Sequence, residues 1–194
     1  MENNLDAAYW NNRYLKQETS WNLYEVSPPL KAYFEQLTDK NQRILMPGCG
    51  NAYDAEYLLT LGFTNITLID IAEEAVKTMQ AKFEKSPSIR VLFQDFFDLE
   101  ETFDLVIEQT FFCAIDPSFR AKYVSKMHQI LSHKGKIAGV MFDRQFEKNP
   151  PFGGSKEEYI SRFSPYFEIK TMSDCYNSVV TRAGTELFVI FDKK

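Results

Sequence analysis

Residues 43–70, RILMPGCGNAYDAEYLLTLGFTNITLID, constrain the fold more than any other stretch of the chain. Ile44, Leu45 and Met46 make a short apolar run that stops at Pro47-Gly48-Cys49-Gly50. An amphipathic stretch over 53–61 follows, closed by Gly62, and a second apolar run over 66–69 ends on Asp70. Strand, glycine-rich turn, helix and a strand with an acidic end spell the nucleotide-binding half of a Rossmann-like sheet. Gly48 and Gly50 let the backbone approach a ligand closely, because no Cβ stands in the way. Asp70 has acceptor oxygens for both hydroxyls of a ribose.

The same residues argue against a dinucleotide. That fingerprint wants a third glycine near position 53, where the helix packs on the strand and the pyrophosphate sits. Here Asn51, Ala52 and Tyr53 stand instead, with Asp54 behind them. Acidic and bulky groups suit a nucleoside carrying an amino acid, such as S-adenosylmethionine. An NAD-dependent oxidoreductase remains the rival reading, opposed by the missing glycine and by the lack of a second, catalytic domain.

The rest of the chain extends this unit into one domain over 1–194. Helical stripes are expected over 5–16, from Ser27-Pro28-Pro29 to Leu37, over 72–85 and from Asp116-Pro117 to about Ser132. Strands are expected over 89–93, 103–107 and 136–142. Ser155-Lys156-Glu157-Glu158 reads as a capping box that opens a further helix. Two last strands, from Phe167 to about Val180 and over 186–191, turn at Arg182-Ala183-Gly184. Seven strands, with helices between the first five, give an α/β three-layer sandwich: a mostly parallel sheet with an antiparallel C-terminal hairpin.

Composition narrows the partners. Net charge is −5 with no basic run, so nothing favours nucleic acid. No apolar stretch reaches membrane-spanning length and no signal peptide is expected, which points to the cytoplasm. Cys49, Cys113 and Cys175 are widely spaced with no C-x-x-C pair, as in reduced thiols rather than disulfides or zinc ligands. The oligomeric state is left open, with a monomer favoured.

In an open α/β sheet the ligand lies beyond the carboxyl ends of the strands. That rule selects Gly48, Cys49 and Gly50 after the first strand, Asp70 and Ile71 after the second, and Asp95 and Phe96 after the third. Glu108, Gln109 and Thr110 follow the fourth. Asp95 is read either as the acceptor for an adenine amino group, with Phe96 beside the ring, or as a turn cap. Residues 1–27 carry both tryptophans, Trp10 and Trp21, together with Tyr9 and Tyr14. They read either as a hydrophobic clasp or as a lid whose rings close over a cation.

No hydrolytic or metal constellation is expected. His128 and His133 fall on and after the long helix, away from the strand ends, and serine lacks a nucleophile-elbow context. Cys113, in the apolar run Phe111-Phe112-Cys113-Ala114-Ile115, reads as a buried, inert thiol.

The chain resembles the thiopurine methyltransferase family over nearly its whole length, above all its halide, thiocyanate and thiol branch. YWNNRYLKQETSW, ILMPGCGNAYD, LIDIAEEAV and QDFFDL carry the resemblance, with NPPF and VVTRAGTEL farther on. The most specific run is FDLVIEQTFFCAIDPSFRAKYVSKMHQIL, with its Arg120. The resemblance implies S-adenosylmethionine as cofactor and Trp10, Tyr14 and Trp21 as lid contacts to it, alongside Gly48, Asp70, Asp95, Phe96 and Gln109. It implies methyl transfer to a small soft nucleophile, with turnover or, as the other outcome, a binding module that has lost it. Phe111, Phe112, Phe152 and Arg182 are the acceptor-pocket candidates, and an exposed turn arginine is the competing reading of Arg182. The chain departs from the family at Tyr14 (more often Trp), Asn51 (commonly Gly), Glu108-Gln109 (usually Asp then Tyr or Arg) and the Pro-Pro loop, which lacks its preceding Gly.

Overall fold

In the computed structural model, which describes residues 5–194, strands β1 (Ile44–Pro47) and β2 (Ile66–Asp70) lie parallel, with Ile44 opposite Ile66. Every residue of both is buried. A strand covered on both faces reads as a continuous apolar run rather than an alternating one. Alternation then decides which layer each side chain enters: Ile44 and Met46 face one core, Leu45 the other.

Strand β3 (Ile89–Phe93) pairs outside β2, while β4 (Phe103–Gln109) lies on the far side of β1 and β5 (Leu131–Phe142) beyond it. The last two strands are β6 (Phe167–Asp174) and β7 (Glu186–Lys193); β7 runs antiparallel to both β5 and β6. The seven-stranded sheet therefore has the order β3-β2-β1-β4-β5-β7-β6. Strand order reverses between β1 and β4, so the crevice at a carboxyl end opens there.

Six α-helices flank the sheet: α1 (Ala7–Leu15), α2 (Pro28–Phe34), α3 (Tyr53–Thr60), α4 (Glu73–Lys82), α5 (Arg120–Ile130) and α6 (Lys156–Phe163). Leu30, Phe34, Leu58 and Met79 from α2, α3 and α4 build one core. Tyr123, Met127, Tyr159 and Phe163 from α5 and α6 build the other. Ser155 caps α6 by accepting the Glu158 N–H at 3.3 Å, as the capping box predicts.

Three expected boundaries move. The stretch after Asp116 begins as a 3-10 turn over Pro117–Phe119, because Asp116 takes both the Ser118 N–H and its hydroxyl, and α5 starts only at Arg120. Strand β5 begins early, at Leu131, and its register with β4 shifts between Phe103 and Leu105, where Lys134 adopts φ +71°. Strand β6 stops at Asp174 instead of running to about Val180. Beyond it, Asn177 and Arg182 send side-chain donors to the carbonyls of Pro28 and Trp21, and Arg182 also reaches Glu186 at the start of β7.

Candidate functional site

The turn after β1 is built on three left-handed residues at alternate positions: Gly48 (φ +58°), Gly50 (φ +49°) and Ala52 (φ +49°). A Cβ on Gly48 would stand 2.4 Å from the Phe111 ring, and one on Gly50 3.0 Å from the Tyr14 hydroxyl. The glycines are thus required both by conformation and by close approach. Asp70, 7% exposed at the end of β2, binds this turn to the next helix. Its Oδ2 accepts the Gly50 N–H at 3.1 Å and its Oδ1 the Ala72 N–H at 2.9 Å. Burial nevertheless raises its pKa above the ordinary carboxylate value.

A cavity of about 1010 Å³ spreads over the carboxyl ends of the central strands. Above β2 and β3 it is lined by Asp70, Ile71, Asp95 and Phe96, and above β4 and β5 by Thr110, Phe111, Phe142 and Phe146. Asp95 Oδ1 accepts the Phe97 N–H at 2.8 Å, so the acid does cap its turn while also facing the cavity. Trp10, Tyr14 and Trp21 of the N-terminal segment line the cavity as well. Trp21 meets Trp10 and Tyr14 edge-on, with centroids 5.7 and 5.8 Å apart. Asn11 docks that segment by accepting the Glu74 N–H at 2.8 Å, which caps α4 from outside. Burial, then the nearby Asp70 and Cys49, raise the Tyr14 pKa, so its hydroxyl keeps its proton.

A smaller space of about 80 Å³ adjoins the turn, lined by Cys49, Gly50, Asp54 and Gln109 among others. Gln109 Oε1 is buried and has no hydrogen-bond donor. The donor set fits an adenosyl amino acid: Asp70 and Asp95 are acceptors for sugar and base, and the Gln109 oxygen can receive an ammonium or hydroxyl. It does not fit a pyrophosphate, because Asp54 occupies the first turn of α3, where the anion would sit.

Several expectations need correction. Glu108 is 1% exposed and lines neither space. It accepts the N–H groups of Phe111 (2.8 Å) and Phe112 (2.9 Å) and the Tyr123 hydroxyl (2.5 Å), bracing the chain after β4. Phe112 is core, packed against Tyr123, Tyr159 and Phe163 with the Arg120 guanidinium 4.6 Å above its ring. Phe152 stays outside the cavity, its N–H on the Cys113 carbonyl at 2.7 Å; the prolines before it, Pro150 and Pro151, form the wall instead. Arg182 is not an exposed turn residue: it is 9% exposed and lines the large cavity. Cys113 is buried, and burial pushes its thiol up to about 12. His128 packs on the rings of Tyr166 and Phe167. Among the described residues no three His, Cys, Asp or Glu side chains converge as metal ligands.

Thr110, named by the strand-end rule, lines the cavity; Phe142, Phe146, Lys122 and Arg144 line it without having been singled out as candidates. Phe142 and Phe146 flank the end of the fifth strand, a signal the strand-end rule could have used. Lys122 sits on α5, and only the tertiary packing brings it there.

A mostly parallel sheet with this reversal point, a glycine turn after β1 and an acid closing β2 make a Rossmann-like nucleotide-binding fold, and with the family match the chain is an S-adenosylmethionine-dependent methyltransferase. The sequence pattern of thiopurine S-methyltransferase matches residues 5–191, and the chain belongs to that family. It is 30% identical over 184 residues to a probable thiol methyltransferase 2 of Arabidopsis thaliana, covering 91% of this chain and 81% of the relative. With thiocyanate methyltransferase 1 of Brassica oleracea it shares 24% over 189 residues, covering 94% and 83%. Its fold is that of magnesium protoporphyrin IX methyltransferase from Synechocystis PCC 6803, solved with bound S-adenosylmethionine (TM-score 0.75, 13% identity, 97% of this chain and 95% of that one).

Proposed function

We propose that this enzyme methylates a small soft nucleophile, a thiol, thiopurine, halide or thiocyanate, by in-line displacement. The observation that carries the reading is one cavity holding the buried Asp70 and the half-buried Asp95 above β2 and β3 and an aromatic wall with cations above β4 and β5. S-adenosylmethionine supplies an electrophilic methyl group on a sulfonium.

Asp70, while bracing the turn through Gly50 and Ala72, faces the cavity and accepts the ribose hydroxyls there. Asp95 accepts from the adenine amino group beside Phe96, and Gln109 Oε1 takes the α-ammonium. Gly48, Cys49, Gly50 and Ile71 present backbone. The N-terminal segment, expected over 1–27 and described from residue 5 onward, acts as a lid, with Trp10, Tyr14 and Trp21 offering ring faces to the cation. Phe111, Phe142 and Pro151 exclude water from the nucleophile, which raises its reactivity, while Arg182 and Arg144 favour an anion there. A thiol titrates near ~8.5, so a useful fraction is thiolate without a protein base. We place the protein in the cytoplasm as a single domain over 1–194. Its three cysteines are free, and no helix among the described residues is long and apolar enough to cross a membrane.

Calorimetric titration with S-adenosylmethionine, S-adenosylhomocysteine and NAD tests the reading. Saturable binding of the two adenosyl ligands, but not NAD, is expected, followed by methylation of thiols, iodide or thiocyanate in a product screen. Failure of both adenosyl ligands to bind folded protein would end it.

A further inference from the structure

Arg182 is a buried cation, ion-paired with the buried Glu186 and within electrostatic reach of the buried Asp54. Its Nη1 lies 3.4 Å from Glu186 Oε1, at the long limit of a hydrogen bond, and its guanidinium stands 5.6 Å from the Phe142 ring centre. The short bond is Nη2 to the carbonyl of Trp21, at 2.8 Å. That carbonyl belongs to the N-terminal segment, 161 residues away in sequence, whose Trp10, Tyr14 and Trp21 roof the cavity. The same β6–β7 connection reaches the segment's root, where Asn177 donates to the Pro28 carbonyl at 3.3 Å. Thr181, Arg182 and Thr185 meanwhile line the cavity. One guanidinium therefore touches the roof over one ligand and the wall around the other.

We propose that Arg182 is a positioning residue that latches the N-terminal lid shut over the cofactor, so that closing the lid also completes the acceptor pocket. This rests on the methyltransferase reading above. Opening the lid takes the Trp21 carbonyl away and leaves a guanidinium N–H of the buried Arg182 unpaired, although Glu186 and the more distant Asp54 still balance its charge, a state that favours reclosure. Cofactor loading then precedes acceptor binding, because the arginine is fixed in the pocket wall only when the lid is down.

The chain's two tryptophans, Trp10 and Trp21, both sit on the lid, so selectively excited tryptophan fluorescence reports this segment. The test is stopped-flow release of S-adenosylhomocysteine, without acceptor, from wild type, Arg182→Ala and Arg182→Lys. Loss of a charge-assisted hydrogen bond predicts release at least about tenfold faster in Arg182→Ala. Lysine, which can reach one carbonyl but lacks the fork, is expected in between. If alanine proves unable to fold, the lysine variant alone decides. A purely packing role would lower thermal stability, and a purely acceptor-side role would raise the acceptor KM; neither would change the release rate. Wild-type release rates in the folded variants would overturn the latch. No binding of S-adenosylhomocysteine to wild type would overturn the latch and the proposed function together.

Discussion

The two ends of the central strands are built on opposite principles. At the amino end, Arg43 and Asp104 satisfy each other completely. The Arg43 backbone N–H and Nε both reach Asp104 Oδ2, at 2.9 and 3.1 Å, and Nη2 reaches Oδ1 at 2.8 Å. Thr102 and Ser132 complete the group, and the guanidinium holds the Asp104 carboxyl well below the usual carboxylate range. At the carboxyl end, burial pushes the carboxyls of Asp70, Glu108 and Asp54 upward, and Gln109 Oε1 has no partner. Four residues there have positive φ, among them Thr110 at +60°, a position a β-branched side chain rarely tolerates. Unmet polar groups and backbone strain persist where a ligand or a mechanism uses them. One end of this sheet holds the fold, and the other keeps capacity for something else.

Four experiments can break that contrast. The largest effect is expected at Asp70→Ala, which removes two charged acceptors for the ribose and should lower S-adenosylmethionine affinity by more than about 100-fold. Wild-type affinity in this variant would remove Asp70 from that role. Asp104→Ala should do the reverse: a loss of about 1–2 kcal/mol in denaturant unfolding, with cofactor affinity unchanged. Because the Asp104 pKa is depressed on folding, its contribution is present above the unfolded carboxylate range and disappears as pH falls below it. A change in cofactor affinity here would blur the division between the ends.

Asp54 sharpens the comparison through the sign of its shift. Burial pushes its carboxyl up to about 7, against the Ser27 N–H that it accepts at 2.9 Å. The folded state then binds the proton more tightly than the unfolded chain, so stability falls as pH rises from about 4 toward 7. Asp54→Asn keeps an acceptor for Ser27 and should flatten that slope in thermal melts across this range; an unaltered slope would assign it elsewhere. The smallest effect is at Ala52→Gly. Relieving an alanine held at φ +49° should stabilise the fold by up to about 1 kcal/mol, part of it cancelled by the freer unfolded chain. A destabilised glycine variant would mean that the burial of the Ala52 methyl outweighs the strain of its backbone.

Much of this was legible because local chemistry and global position agree. The apolar runs of β1 and β2, the glycine turn and Asp70 all lie within 28 residues of sequence, and their spacing alone orders them. The strand-end rule likewise brought out Ile71, Asp95 and Phe96. It failed where a residue's direction depends on packing. Glu108 and Gln109 are neighbours on a strand, so their side chains point to opposite faces; one braces α5 and the other borders the turn. Phe112 and Phe111 divide between core and cavity for the same kind of reason. Arg182 looked like a surface turn because its partner, the Trp21 carbonyl, is a backbone atom that no side-chain pattern announces.

That last bond also sets a timetable for synthesis. Trp21 leaves the ribosome 161 residues before Arg182. At roughly 5–20 residues per second the aromatic segment waits about 8–30 seconds for the arginine that holds it. Throughout that interval the segment has its Asn11 dock on α4 but not the Trp21 latch, and the cavity lacks its last wall. The β6–β7 connection is thus the closing stitch of the molecule, and a ligand can be enclosed only after almost the whole polypeptide has emerged.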